Sequence, residues 1–138
     1  MNEEILSGLI KATILPDAQK NGEFDPSDLS SVQRNMELEL KSITKHYGRV
    51  MIERKKYDEL MSLTCTHRRY ICSTDRGVYS WDLNKIIIPD EWWQHVTITR
   101  HSTYFHREMD GASDKVCAKL PIGWSKIITD RIGWTRDL

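Results

Sequence analysis

The chain has 138 residues, of which 39% are hydrophobic and 29% are charged, and its formal net charge is zero. A chain of this size can bury its own core, so the composition excludes a disordered protein and a small scaffold that depends on disulfides or a metal to fold. No apolar run approaches the ~20 residues of a membrane span, and Glu3 and Glu4 replace the positive charge of a secretory signal peptide. We therefore expect a soluble, cytoplasmic protein that does not bind membranes.

The first predicted elements are helices. A helix over Asn2 to Leu15 is indicated by the capping side chain of Asn2, and Pro16 ends it. A second, longer helix is predicted over residues 26–47, with Asp25 as its cap. Its apolar residues follow one another at steps of three or four, a period of 3.6 residues that is typical of a straight helix on a globular core. They are Leu29, Val32, Met36, Leu40, Ile43 and Tyr47.

Strands dominate the rest of the chain, after a short strand at 49–53 and a helical turn that carries Tyr57, Leu60 and Met61. From residue 68 onward, apolar and polar residues alternate, which is typical of half-buried strands. The predicted strands are 69–73, 78–82, 85–88, a β-rich stretch at 95–107, 116–120 and a last short strand at 127–128. Bends or turns are predicted at 74–77, 89–91 and 110–114.

The order of these elements predicts a single α+β domain over residues 1–138. It is helical over 1–63 and β-rich over 68–130, with the N-terminal helices packed on a mostly antiparallel sheet. The apolar stripe of the long helix 26–47 would lie on that sheet and form much of the core.

The chain has three cysteines, an odd number that favours reduced thiols in a cytosolic compartment. Cys65, Cys72 and Cys117, together with His67, are residue types that bind zinc. The paired Cys-x-x-Cys spacing of structural zinc sites is missing, and Cys72 in a predicted strand is equally a small core residue. We expect neither a metal nor another cofactor, and whether these four residues bind a metal stays open.

Charge is segregated along the chain. Residues 1–40 have a net charge of −5, residues 41–77 have +5, and the remainder is balanced. Basic residues interleaved with tyrosines are typical of proteins that grip single-stranded nucleic acid. Such a site would consist of Arg54, Lys55, Lys56, His67, Arg68 and Arg69. The other interpretation is that the two segments neutralise each other in the fold, which the total charge of zero favours.

Histidines and arginines are concentrated between residues 95 and 107, and they suggest a catalytic alternative. Histidine is the usual acid–base catalyst near neutral pH, and arginine is a natural phosphate ligand. A metal-independent site of this kind would consist of His95, His101, Arg100 and Arg107. In a regular strand, however, His106 faces the opposite side from His95, so the stretch also fits an exposed strand face.

One short piece of this stretch is similar to a known motif. His95-Val96-Thr97-Ile98 resembles one half of the paired His-x-Thr signature of the 2H phosphoesterases, a family that brings two such motifs together from distant strands. The other match in this chain, His101-Ser102-Thr103, follows six residues later. The resemblance implies phosphoester cleavage by the two histidines.

Tryptophan is abundant, with five residues in the chain. Large rings surrounded by arginine match the composition of protein interfaces. We therefore predict a partner-binding surface from the bend at 89–93 and the segment 121–134. Its residues are Glu91, Trp92, Trp93, Trp124, Lys126, Arg131, Trp134 and Arg136. The other interpretation is that these rings fill a small core.

Two functions compete on this basis. The first is a small intracellular binding protein, a regulator or inhibitor of a larger protein or nucleoprotein partner, with a protein partner favoured and nucleic acid as the alternative. The second is a small metal-independent, ribonuclease-like enzyme that cleaves phosphodiesters. Common phosphate-loop, nucleophile-elbow and zinc-protease motifs are absent from the sequence, and it does not indicate an oligomeric state.

Overall fold

The computed structural model describes residues 1–100 and 111–129, which form two α-helices, nine strands and two short 3₁₀ turns. The helices are α1 (Glu3–Thr13) and α2 (Arg54–Met61), and the 3₁₀ turns are Asp90–Trp92 and Ile122–Trp124. The strands are β1 (Gln19–Lys20), β2 (Leu29–Ser31), β3 (Met36–Ser42), β4 (Arg49–Glu53), β5 (His67–Thr74), β6 (Gly77–Asp82), β7 (Gln94–Arg100), β8 (Gly111–Pro121) and β9 (Lys126–Thr129). The predicted α+β class is confirmed.

The strands form two sheets. The large sheet has the order β1-β2-β3-β5-β6-β9, and the small sheet has the order β4-β8-β7. Strands β3 and β5 are parallel, because β4 and α2 carry the chain across between them, whereas the other pairs are antiparallel. The predicted antiparallel sheet is therefore only partly right, since the large sheet is mixed.

The predicted helix over 26–47 is wrong, because these residues form the β2–β3 hairpin. Its tight connection contains Asn35 in the left-handed backbone region, with φ of 50°. Residues 36–41 alternate apolar and polar side chains, the period of a strand, and Leu38 pairs with Leu29. Val32, which the helix would have buried, is 85% exposed.

The other predictions have mixed outcomes. The first helix, the strand at 49–53, the hairpin around Gly77 and the strands at 116–120 and 127–128 are confirmed. The predicted helical span 1–63 is wrong, since four strands lie within it.

Two smaller predictions are also wrong. Residues 85–88 are not a strand, and Ile87 is 86% exposed. The predicted turn at 110–114 is wrong for residues 111–114, which begin β8. Residue 110 and the part of 95–107 after residue 100 lie outside the described residues.

Two cores lie on opposite faces of the large sheet. On one face, Leu6 and Ile10 of α1 pack with Leu38 and Leu40 of β3 and with Ile71 of β5. On the other face, the small sheet and α2 cover the aromatic side chains of β5 and β6. This second core includes Val50, Ile52, Leu60, Tyr70, Trp81, Ala118 and Leu120.

Neither of the described helices is both long and apolar enough to cross a lipid bilayer. Helix α1 has 11 residues and α2 has eight. Both instead pack one face on the sheets, through Leu6 and Ile10 of α1 and Leu60 of α2.

A candidate active site between the two sheets

A polar cleft of about 510 Å³ opens where the second face of the large sheet meets the small sheet. Acidic and basic side chains line it together. The charged lining residues are Glu3, Asp28, Glu39, Lys41, Glu53, Lys56 and Lys115, and they are joined by Leu40, Met51, Ile52, Tyr70 and Cys117.

Strand β3 places two of these charged side chains next to each other. Leu38 and Leu40 point to the core under α1, so the alternation of the strand sends Glu39 and Lys41 to the opposite face. Residues two apart on a strand share a face, and Glu39 and Lys41 therefore project side by side into the cleft.

The β2–β3 pairing brings Asp28 to the same place. Its backbone N–H donates to the carbonyl oxygen of Leu38 at 2.9 Å, and its carboxylate Oδ2 accepts from the backbone N–H of Leu40 at 2.8 Å. Asp28 is thus held by the backbone on both sides of Glu39. The carboxylates of Asp28 and Glu39 and the ammonium of Lys41 come from one hairpin.

Glu39 is the most perturbed acid of the cleft. It is only 8% exposed, and its one charged neighbour of opposite sign within 4 Å among the described residues is Lys56, with Nζ 3.9 Å from Oε1. Burial, followed by the negative charges of Asp28 and Glu3, raises the pKa of Glu39 to about 8. The ionised form of this carboxyl group is weakly compensated, and a bound cation would stabilise that form.

Other groups at the cleft are already satisfied. Lys115 Nζ lies 3.2 Å from Glu53 Oε2, and the Tyr70 hydroxyl donates to the carbonyl oxygen of Met51 at 2.9 Å. Burial raises the pKa of Tyr70 well above its usual value, so the phenol stays neutral. The first contact joins β8 to β4 within the small sheet, and the second joins β4 to β5 of the large sheet.

The cysteines are poor candidates for chemistry. Cys72 and Cys117 are buried, and burial raises the pKa of the Cys72 thiol to about 12 and that of Cys117 above its usual value. Burial also raises the pKa of Cys65. All three therefore remain thiols rather than reactive thiolates at neutral pH. Across residues 1–100 and 111–129, no three Cys, His, Asp or Glu side chains are already assembled around a metal position.

The predicted histidine site is only partly within the described residues. His95 lies on β7 with its side chain 77% exposed, and its Nδ1 is 3.5 Å from Asp114 Oδ2. Arg100 is the last residue of β7, whereas His101 and Arg107 lie outside the described residues. His95 is not part of the cleft lining, and its pairing with His101 stays a prediction.

The predicted basic site is divided among separate places. Lys56 reaches the cleft, while the Arg54 guanidinium lies 5.3 Å from the Trp93 ring centre. Arg68 donates from Nε to the carbonyl oxygen of Leu60 at 3.1 Å, and from Nη2 to that of Leu63. Arg69 pairs with Asp82 on the face of the large sheet that lies opposite the cleft. Lys55 and His67 are exposed. These basic residues do not form one continuous patch.

The predicted partner surface is partly assembled. The rings of Trp92 and Trp124 stack with centres 5.0 Å apart, and Trp124 is 41% exposed. Trp93 turns away and packs against Tyr57 of α2, at 5.4 Å. Glu91 and Lys126 are exposed. Arg131, Trp134 and Arg136 lie outside the described residues.

Sequence reasoning missed Asp28, Glu39 and Lys41. The signal was an acid and a lysine two residues apart on an alternating strand. The predicted helix concealed this signal, because residues two apart on a helix do not face each other.

Comparison of the sequence with protein-family models and with curated proteins finds no match. The function must therefore be argued from the chemistry of the cleft, and not from fold alone.

Proposed function

We propose that this chain is a divalent-cation-dependent phosphodiester hydrolase whose active site is the cleft between the two sheets. The observation that carries the proposal is the convergence of Asp28, Glu39 and Lys41 from one β-hairpin on one cleft. Two carboxylates beside an ammonium combine ligands for a hard cation with a positive group for an anionic substrate.

The carboxylates fit Mg²⁺ or Mn²⁺. Mg²⁺ keeps several waters and binds through one or two carboxylates plus the phosphate of the substrate, so it does not need a cage of three protein side chains. Asp28 and Glu39 would hold the cation, with Glu3 across the cleft as an additional negative charge. A cation there would offset the repulsion among these acids.

The bound cation would polarise a phosphoryl oxygen and lower the pKa of its bound water. A water activated in this way would attack phosphorus through its oxygen and release a proton to solvent. The bond to the leaving alkoxide would break, and the alkoxide would take up a proton from solvent. Lys41 faces the same space as Glu39 and would stabilise the additional negative charge on the phosphoryl oxygens. The products are a phosphate monoester and an alcohol.

The cleft margin suggests a polyanionic substrate. Lys41, Lys56 and Lys115 line it, and a cation held by Asp28 and Glu39 would leave these three lysines against Glu3 and Glu53. Basic residues around a cleft raise the local concentration of a polyanion and its association rate. Single- or double-stranded DNA or RNA is therefore the substrate class that we propose.

The test is cleavage of end-labelled single- and double-stranded DNA and RNA with Mg²⁺, Mn²⁺ or EDTA. We expect cation-dependent cleavage by the unaltered chain that is lost in Asp28→Asn and Glu39→Gln. The matched control is Glu4→Gln, which removes an exposed carboxylate of α1 outside the cleft. Cleavage that persists in EDTA and is lost in His95→Ala would instead support the metal-independent histidine site.

A second candidate function is the binding protein, and the stacked pair Trp92 and Trp124 favours it. A half-exposed tryptophan is the kind of residue that dominates interface energetics. The test is affinity capture with the unaltered chain and Trp124→Ala as a matched control. A stoichiometric partner that Trp124→Ala fails to capture, together with no cleavage under any cation, would select this function over the hydrolase.

A further inference from the structure

A second polar pocket lies on the other face of the large sheet from the cleft. Three neighbouring strands form its floor: Arg69 of β5 is opposite Asp82 of β6, and Ser80 of β6 is opposite Lys126 of β9. The pocket has a volume of about 460 Å³. Lys85, Ile86, Trp124 and Ser125 complete its lining.

Two buried polar atoms in this pocket have no hydrogen-bond partner among the described residues: Arg69 Nε and Ser80 Oγ. Ser80 is only 1% exposed, and the Arg69 side chain is 15% exposed. Arg69 meets Asp82 only at 3.6 Å, from Nη2 to Oδ2, which leaves Nε unused. Buried donors without acceptors are costly and rare, and here both belong to the lining of one pocket.

These groups match an oxyanion. An Nε–H of arginine and a serine hydroxyl are typical donors to phosphate oxygens. Among the described residues of the lining, Arg69 and Lys85 contribute two positive charges, against the one negative charge of Asp82, which both of them contact. The pocket therefore offers donors and a positive field together.

An apolar groove continues from the polar pocket. It has a volume of about 430 Å³ and is lined by Lys85, Ile86, Ile87 and Trp124, three of which also line the polar pocket. Ile87 is 86% exposed, although it stands in the apolar sequence Ile86-Ile87-Ile88. A flat ring joined to the oxyanion would lie against Ile87 and Trp124.

We propose that this pocket and groove bind a nucleoside monophosphate group, with the phosphate at Arg69 and Ser80 and the base against Trp124. The group is either a free nucleotide or the phosphorylated end of a strand, since both present the same chemistry. The site is independent of the proposed hydrolase, because it lies on the opposite face of the sheet.

The experiment is isothermal titration calorimetry with AMP, inorganic phosphate, adenosine and a 5′-phosphorylated dinucleotide, all in EDTA. We expect AMP to bind more tightly than phosphate or adenosine alone. Equal affinity for AMP and the dinucleotide indicates a strand end, and a loss of affinity for the dinucleotide indicates a free nucleotide.

Two variants locate the binding. Ser80→Ala should weaken AMP binding ~3–10-fold without loss of stability, because Ser80 Oγ has no hydrogen-bond partner among the described residues. Trp124→Ala should weaken the binding of AMP and leave the binding of inorganic phosphate unchanged. Glu39→Gln is the control for the cleft and should bind AMP like the unaltered chain. Absence of AMP binding at millimolar concentration, or equal binding by the unaltered chain and both pocket variants, would overturn the proposal.

Discussion

The two faces of strand β3 differ sharply, because alternate residues of the strand serve the core and the cleft. Met36, Leu38 and Leu40 are at most 5% exposed and form the core under α1. Glu39 and Lys41, which alternate with them, line a charged cleft on the other side. A strand can serve stability and chemistry independently, because its alternate side chains do not share an environment. Substitutions on the two faces should therefore have separable effects.

On strand β3, the larger effect on stability is expected on the apolar face. Leu38 is fully buried, so Leu38→Ala should lower the free energy of unfolding by ~2–5 kcal/mol, through lost burial and a residual cavity. Chemical denaturation monitored by circular dichroism measures this change. Val32→Ala, on the exposed hairpin connection, is the control and should change stability by less than ~0.5 kcal/mol. A loss of similar size in both variants would contradict the assignment of the two faces.

On the charged face, a substitution should change cleavage and leave stability unchanged. Lys41 is exposed at the cleft, so Lys41→Met should keep the stability of the unaltered chain within ~0.5 kcal/mol. If Lys41 stabilises the transition state, cation-dependent cleavage should fall ~10²–10³-fold, mainly in kcat. Lys45→Met, beyond the end of β3, is the matched control and should cleave normally. Equal activity of both variants would remove Lys41 from the mechanism.

Protonation of Glu39 should make the stability of the chain depend on pH. Its pKa is raised from 4.5 to about 8 in the folded chain, so the folded state keeps a proton that the unfolded state loses. In EDTA, the free energy of unfolding should fall as pH rises from about 4.5 to about 8, by on the order of 1–3 kcal/mol, and then level off. Glu39→Gln should lack this contribution. Denaturation curves between pH 4.5 and 9 measure the difference.

Added Mg²⁺ should change the pH dependence of stability in the opposite sense. Cation binding requires the carboxylate, so added Mg²⁺ should stabilise the unaltered chain most above pH 8 and should have little effect on Glu39→Gln. An identical pH dependence of the two chains in EDTA would show that Glu39 titrates as an ordinary surface acid. That result would contradict the burial of Glu39 among the other acids of the cleft.

Local signals predicted the elements whose ends are encoded in a few residues. The cap Asn2 and the break at Pro16 delimit α1, and Asn2 Oδ1 does accept from the Ile5 N–H at 2.8 Å. Gly77, with φ of 153°, allows the turn of the β5–β6 hairpin. In such places a few neighbouring residues specify where a helix or a turn begins and ends.

The β2–β3 hairpin could not be read in this way. Leu29, Met36 and Leu40 lie at spacings that suit a helix, yet Met36, Leu38 and Leu40 also suit a strand. The deciding contact is the non-local pairing of Leu29 with Leu38, together with the parallel pairing of β3 with β5, about 30 residues apart. Tertiary pairing therefore decided the structure of this segment against its helical spacing. The wrong helix prediction also concealed the candidate site, because Glu39 and Lys41 share a face only on a strand.

Only a small effect on stability is expected at Trp124, in contrast to the large effect expected at Trp81. Trp81 is fully buried and its indole N–H donates to the carbonyl oxygen of Pro121 at 2.9 Å, so Trp81→Ala should cost ~3–5 kcal/mol. Trp124 is 41% exposed and keeps one ring face on Trp92, so Trp124→Ala should cost ~1 kcal/mol or less. Denaturation midpoints of the two variants provide the comparison. A large loss in Trp124→Ala would make this ring part of the core, and neither a partner nor a nucleotide could then be assigned to it from binding losses alone.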